Sequence, residues 1–233
     1  MADPLARPWT VFHPQPLVQR SPSLWTVEDQ VPGLPGATRT MTVVRRDDGT
    51  LLFFNAIPLP DATLARVQAL GRPAALVIPN ALHSLDAGAF TQRLGLTAYA
   101  PAVALEPLAP RVACRPIAEL PQGDDVQVFT VEGFKTKEIV LRVRDTLVVA
   151  DVVTNSPHGP GFNGLLMRLV GFTGPTPRLP WPVRQRVQRD AVAVRALLEQ
   201  LASLPGITRL VPSHGPVVEQ GVAEALRAVA ASF

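Results

Sequence analysis

The hydrophobic positions change period several times along the chain, and the changes predict its elements. From Leu24 the pattern is β-like: Thr40-Met41-Thr42-Val43-Val44 alternates, Asp48-Gly49 intervenes, and Leu51-Leu52-Phe53-Phe54 follows. An Asp-Gly between two apolar runs predicts a hairpin, because glycine accepts the positive φ that such turns need. Pro60-Asp61 then opens a helix, with Asp61 placed to cap it, Leu64, Val67 and Leu70 at helical spacing, and Gly71 placed to end it. Ala74-Ala75-Leu76-Val77-Ile78 is a continuous apolar run, as expected of a strand buried on both faces. Beyond Pro79 a short loop leads to a helix predicted over 87–94.

Strand-like pieces at 97–100 and 112–117 alternate with proline turns. Three successive strands are predicted over 126–131, 139–143 and 147–153, with Arg144-Asp145 turning between the last two. A helix is predicted over 189–204, where Val194, Leu197, Leu198, Leu201 and Leu204 share a face and Pro205-Gly206 stops it. Arg209-Leu210-Val211 reads as a short strand, and Val222, Leu226, Val229 and Phe233 stripe a last helix.

Two stretches lack this rhythm. Residues 1–22 carry five prolines and read as an irregular arm, leaving 23–233 as a single domain. Residues 155–182 hold five glycines and six prolines, yet also Phe162, Leu165, Leu166, Met167, Leu169, Val170, Phe172 and Trp181. That is more apolar surface than a solvated loop needs, so 161–182 is expected to cover the mouth of a site as a lid, to meet a second subunit, or to pack on its own flank. Strands, then helices, then strands, then helices predict two sheets between helices.

Composition narrows the class. At 233 residues, 47% hydrophobic and 18% charged, the chain can bury a sizeable core and is not expected to be disordered. Cys114 is the single cysteine, which excludes an internal disulfide framework and a cysteine-based zinc cluster. No apolar uncharged run reaches the ~18 residues of a membrane span. The start, MADPLARPWTVFHPQP, has no apolar segment of secretory type, so a cytoplasmic protein is expected. Net charge is only +3 and arginine is dispersed, densest at Arg184, Arg186 and Arg189, so specific nucleic-acid binding is not expected.

Three residues able to bind metal share one context: each follows an apolar strand-like run. His83 comes after Leu76-Val77-Ile78, Asp151 ends Leu147-Val148-Val149-Ala150, and His214 follows Leu210-Val211-Pro212-Ser213. Rigid strands aim the groups on the loops that leave them, and two histidines with an acid can bind zinc. A carboxylate in so apolar a run as that of Asp151 needs a metal, an arginine or backbone donors to satisfy it. Asp86 begins a helix, where an acid also caps free N–H groups. His83 also reads as a buried histidine bonded to backbone. His158 in its Pro/Gly loop reads as a surface histidine, Cys114 as a small core residue, and His13 carries no signal.

In the order of these signals the chain resembles the metallo-β-lactamase superfamily, from about Leu24 onward. The resemblance implies an αββα sandwich, an α/β four-layer fold. The family's histidine motif, Thr-His-x-His-x-Asp-His-x-Gly, is matched by Asn80-Ala81-Leu82-His83-Ser84-Leu85-Asp86-Ala87-Gly88. Its second histidine is kept as His83, Ala81 and Leu85 replace a histidine and an aspartate, and Asp86 stands at the third histidine. The family's Gly-His-Thr segment is matched by Gly133-Phe134-Lys135, so Phe134 replaces its histidine, while Asp151 and His214 match the bridging aspartate and the last histidine. A Pro-Asn-x-x-His segment thus stands in for the full motif.

What the resemblance implies is one divalent metal (Zn, Mn or Fe) held by His83, Asp86, Asp151 and His214, rather than a two-metal clamp. Asp151 and His214 would be central to a mononuclear hydrolase of ester, thioester, lactone or phosphoester bonds. The alternative is a scaffold without catalysis or metal, whose pocket, lined by Asn80, Leu85 and Phe134, binds a small apolar ligand or a protein partner. The oligomeric state stays open.

Overall fold

The computed structural model describes residues 7–34, 36–169 and 171–233. Residues 1–6 of the expected arm, and Val170 of the expected lid, lie outside them. The chain divides into two compact units: residues up to Gln30 with Thr40–Val126, and Val31–Arg39 with Gln127–Phe233.

The first unit is built on a seven-stranded sheet in sequential order, of strands β1 (Val18–Ser21), β2 (Leu24–Gln30), β3 (Thr38–Arg45), β4 (Thr50–Phe54), β5 (Arg72–Val77), β6 (Thr97–Ala100) and β7 (Cys114–Pro116). The predicted hairpin is β3 and β4, antiparallel, with Gly49 at φ 76° in its turn. From β4 to β7 the pairing is parallel. Parallel neighbours cannot be joined by a tight turn, so helices carry the crossovers. These are α1 (Asp61–Gln68), α2 (Ala87–Leu94) and α3 (Leu105–Leu108). Leu51, Phe53, Leu76, Ile78, Leu64, Val67 and Phe90 form one fully or nearly fully buried cluster.

Three expectations are corrected here. The arm is not irregular throughout, because β1 pairs antiparallel with β2. Asp61 does not cap α1; Pro60 occupies the cap position, and Asp61 accepts from the Arg93 guanidinium at 2.6 Å. The strand expected over 112–117 is only Cys114–Pro116, since a 3₁₀ turn takes over at Ile117–Glu119. Cys114 packs half-buried against the core as expected, and burial pushes its thiol up to about 11.

Below β3 an arginine–aspartate pair closes this unit. Arg46 donates to both carboxylate oxygens of Asp125, at 3.0 and 3.1 Å, and to the Pro121 carbonyl at 2.8 Å. The Arg46 guanidinium holds the Asp125 carboxyl below its ordinary value, outweighing the opposing effect of burial. A depressed folded-state value means stability present above the unfolded value of 3.8 and lost as pH falls through the folded one. Asp125→Asn is therefore expected to cost about 2 kcal/mol at neutral pH. Urea titrations should show the difference shrinking once the pH drops below about 4.

The second unit carries a four-stranded sheet in the order β11-β10-β9-β8. The strands are β8 (Val126–Thr130), β9 (Ile139–Val143), β10 (Thr146–Val149) and β11 (Arg209–Pro212). Its helices are α4 (Gly161–Leu169), α5 (Trp181–Val187), α6 (Ala191–Ala202) and α7 (Val222–Ala230). Val194, Leu198 and Leu201 of α6 and Val222, Leu226 and Val229 of α7 are buried in one cluster with Val140, Leu147, Val149 and Leu210 of the sheet. Asp190 caps α6 by accepting from Ala193 N–H at 3.0 Å, so the helix starts two residues later than its apolar stripe suggested. The third predicted strand is shorter than its apolar run: β10 stops at Val149.

Candidate functional site

Asp151 and His214 are brought together by strand register. β10 and β11 run parallel, with Val149 paired to Pro212. Asp151 and His214 each stand two residues beyond that pair, in the segments that leave β10 and β11. The ladder's direction continues through Ser213, whose N–H donates to Val149 C=O at 2.8 Å and whose hydroxyl donates to the same carbonyl at 3.0 Å. A shift of one residue in this pairing would move either side chain by about 3.3 Å and turn it to the other face.

Asp151 Oδ1 lies 3.6 Å from His214 Nε2. That is too long for a hydrogen bond. It is close to the span of about 3.4 Å expected between two donors holding one tetrahedral ion at zinc–ligand distances. The other ring nitrogen is committed: Nδ1 of His214 donates to the Thr38 carbonyl at 2.7 Å. A carbonyl can only accept, so Nδ1 carries a proton, and Nε2 is the ring nitrogen that faces Asp151. An imidazole held in this way by a backbone carbonyl has the tautomer and orientation that metal-ligating histidines have. Burial pulls the His214 pKa down, but the neighbouring Asp151 carboxylate and the Thr38 carbonyl outweigh it, leaving the value raised.

Behind Asp151 lies a residue that the sequence reading missed. Glu138, just before β9, is fully buried. Its carboxylate accepts from three successive backbone N–H groups: Ala150 at 3.3 Å, Asp151 at 3.0 Å and Val152 at 3.0 Å. These donors would otherwise have extended β10, which explains why that strand stops at Val149 in the middle of an apolar run. Burial, and then the Asp151 charge, push the Glu138 carboxyl up, against the pull of the three donors. Nothing local announces this role: the residue follows Lys135-Thr136-Lys137 and reads as loop, and its donors come from a segment twelve residues away in the chain.

His83 is presented in the first unit by the Pro-Asn-x-x-His segment. Asn80, itself buried, accepts from Leu82 N–H at 2.9 Å through its side chain, and its carbonyl accepts from His83 N–H at 3.1 Å. That capped 3₁₀ turn, Ala81–His83, fixes the loop after β5. Asp86 occupies the position before α2 without capping it by its side chain, and lies 3.9 Å from Arg7. Leu85 is 41% exposed. Phe134, in the second unit, is fully buried in the core with Val131, Val140 and Val187. Asp151 and His214, both of the second unit, are a carboxylate and an imidazole able to serve as metal ligands. His158 is exposed and bonds Thr173, in keeping with its reading as a surface histidine.

Comparison of the structure with solved ones decides the architecture. It is similar to the crystal structure of VMB-1 at pH 5.5, with a TM-score of 0.63 at 12% identity, over 94% of this chain and 97% of that one. The fold is the metallo-β-lactamase fold. Two further structures agree. The DIM-1 metallo-β-lactamase exposed to ceftazidime gives a TM-score of 0.64 at 13% identity, covering 96% of this chain and 99% of its own. TMB-1 gives 0.62 at 11%, covering 95% and 99%. No family model matches the sequence, and no curated protein does. At this identity the likeness fixes the metallo-β-lactamase fold and leaves the chemistry to the side chains. Among the described residues no helix is long and apolar enough to cross a membrane.

Proposed function

We propose that the chain is a mononuclear metal-dependent hydrolase acting, in the cytoplasm, on the ester, thioester, lactone or phosphoester bond of a small molecule. The observation that carries the reading is the Asp151–His214 pair: a carboxylate and an imidazole 3.6 Å apart, the imidazole fixed by Thr38 through Nδ1 so that Nε2 faces Asp151. His83 of the first unit is proposed as a further ligand, which would make the donor set two imidazoles and one carboxylate. That set suits zinc with an open fourth position, or iron(II) and manganese in a facial triad. Asp86 is the remaining candidate ligand. The chemistry such an ion supplies is Lewis acidity, together with a water acidified from 15.7 toward about 7.

The chain's own residues do the positioning. Thr38 orients the His214 ring, and Glu138 holds the backbone that carries Asp151. The Asn80-capped turn presents His83. No aspartate stands at position 85, where Leu85 offers no proton acceptor, so a separate general base at that point is not part of the proposal.

Elemental analysis of protein purified without an affinity metal column tests the reading. Wild type is expected to carry about one equivalent of Zn, Mn or Fe, and His214→Ala and Asp151→Asn are expected to carry none and to lose esterase or phosphoesterase activity. Asp86→Asn separates a three-ligand shell, which keeps the metal, from a four-ligand one. Wild type that takes up no metal even on reconstitution would sink the proposal and leave the ligand-binding scaffold.

A further inference from the structure

Outside this site, the second unit leaves one apolar helix face uncovered. On α4, Phe162 is 79% exposed, Leu165 51%, Leu166 48% and Leu169 75%. These positions follow one another at i, i+3, i+4 and i+7, so they form a single stripe along about 10 Å of helix. Trp181, 60% exposed, begins α5, and its Cβ lies next to Gly171, which ends α4 at φ 76°. An open groove of about 420 Å³, lined by Trp181, Arg184, Gln185 and Gln188, runs along α5.

The charge around the stripe says what covers it. From residue 152 to residue 189 there is no aspartate or glutamate, and there are five arginines: Arg168, Arg178, Arg184, Arg186 and Arg189. The whole chain carries only +3, so this stretch exceeds it and the remainder is net acidic. Arg168, Arg186 and Arg189 are exposed. A second copy packed face to face would bring two such arginine sets together, and like charges in an interface oppose association. A short amphipathic helix bearing Phe and Leu, a neighbouring exposed Trp and acid-free arginines has the make-up of a segment that lies in the plane of an anionic membrane surface.

We propose that α4 and α5 form a docking surface for anionic lipid, with Phe162, Leu165, Leu166, Leu169 and Trp181 entering the headgroup boundary while Arg168, Arg186 and Arg189 meet the lipid phosphates. The full chain is mixed with vesicles of three parts phosphatidylcholine to one part phosphatidylglycerol, and separately with pure phosphatidylcholine, at physiological ionic strength. Sedimentation with the anionic vesicles alone is the expected result. Phe162→Ser combined with Leu169→Ser, and Arg186→Glu combined with Arg189→Glu, should each lower partitioning by more than about tenfold. Circular dichroism checks that they fold, and Val192→Ser, at an equally exposed position on α6, should change nothing. Absence of binding, or equal binding to neutral vesicles, overturns the proposal. So does a dimer in light scattering that the Phe162→Ser, Leu169→Ser variant dissolves while wild type ignores vesicles.

Discussion

Glu138→Ala is expected to destabilise the protein by about 3–5 kcal/mol, among the largest effects of any single substitution in this chain. The substitution leaves the N–H groups of Ala150, Asp151 and Val152 without their acceptor in a fully buried setting. Each such orphaned donor costs roughly 1–3 kcal/mol. Relief of the strain of keeping a carboxylate buried beside Asp151 offsets part of that total, which is why three full penalties are not expected. Glu138→Gln keeps one acceptor oxygen and turns an N–H₂ toward the remaining donors, so it should lose less than alanine but more than half as much. Urea denaturation measures both, and metal content should fall with them, because the backbone they release carries Asp151. A loss below about 1 kcal/mol for alanine would mean that the three contacts are not the support described.

Gly215→Ala should be nearly as severe. Gly215 follows His214 directly and has φ 91°, a conformation that alanine resists. A Cβ there would stand 2.1 Å from the Asn155 carbonyl oxygen and 2.3 Å from its carbon. Neither atom can move freely, since Asn155 is tied to this loop by its N–H to the His214 carbonyl at 2.9 Å and by its side-chain amide to the Pro216 carbonyl at 2.8 Å. Backbone strain and overpacking together are expected to cost about 3 kcal/mol or more. The distinguishing readout is a displaced imidazole: the variant should lose the His214–Thr38 bond, visible as a shifted ring resonance in NMR, even under conditions where it remains folded. An unchanged resonance would show that the close approach does not hold the histidine.

Much of this architecture was legible in the chain because local patterns coincide with burial. Asp48-Gly49 marked a real hairpin, and Ala74–Ile78 announced a strand that ends in the fully buried Leu76 and Val77, with Ile78 buried just beyond it. His83, Asp151 and His214 could be singled out because each follows an apolar run, and the structure sets Asp151 and His214 3.6 Å apart. What escaped depends on partners far away in sequence. β1 hides in a proline-rich arm because its polar residues, Gln19 and Arg20, gain their strand character only by pairing with β2. β10 ends early, within valines and alanine, because Glu138 captures the N–H groups that would have continued it. The Thr38 carbonyl that orients His214 leaves no trace in sequence at all, since any residue supplies a carbonyl.

The parallel register of β10 and β11 also bears on the order of events during folding. The antiparallel meander of β8, β9 and β10 is assembled from neighbours in sequence, whereas β11 must return across α4, α5 and α6 to reach its place beside β10. Loop-closure entropy makes such a distant pairing slower than the meander. A partly folded chain with the meander alone would therefore possess Glu138 and Asp151 but not the His214 imidazole beside them. An ion that needs both Asp151 and His214 would bind only after β11 has docked, and by mass action would favour that last step over its reversal. On this account, metal supplied during refolding should slow the release of the final strand and leave the formation of the meander untouched.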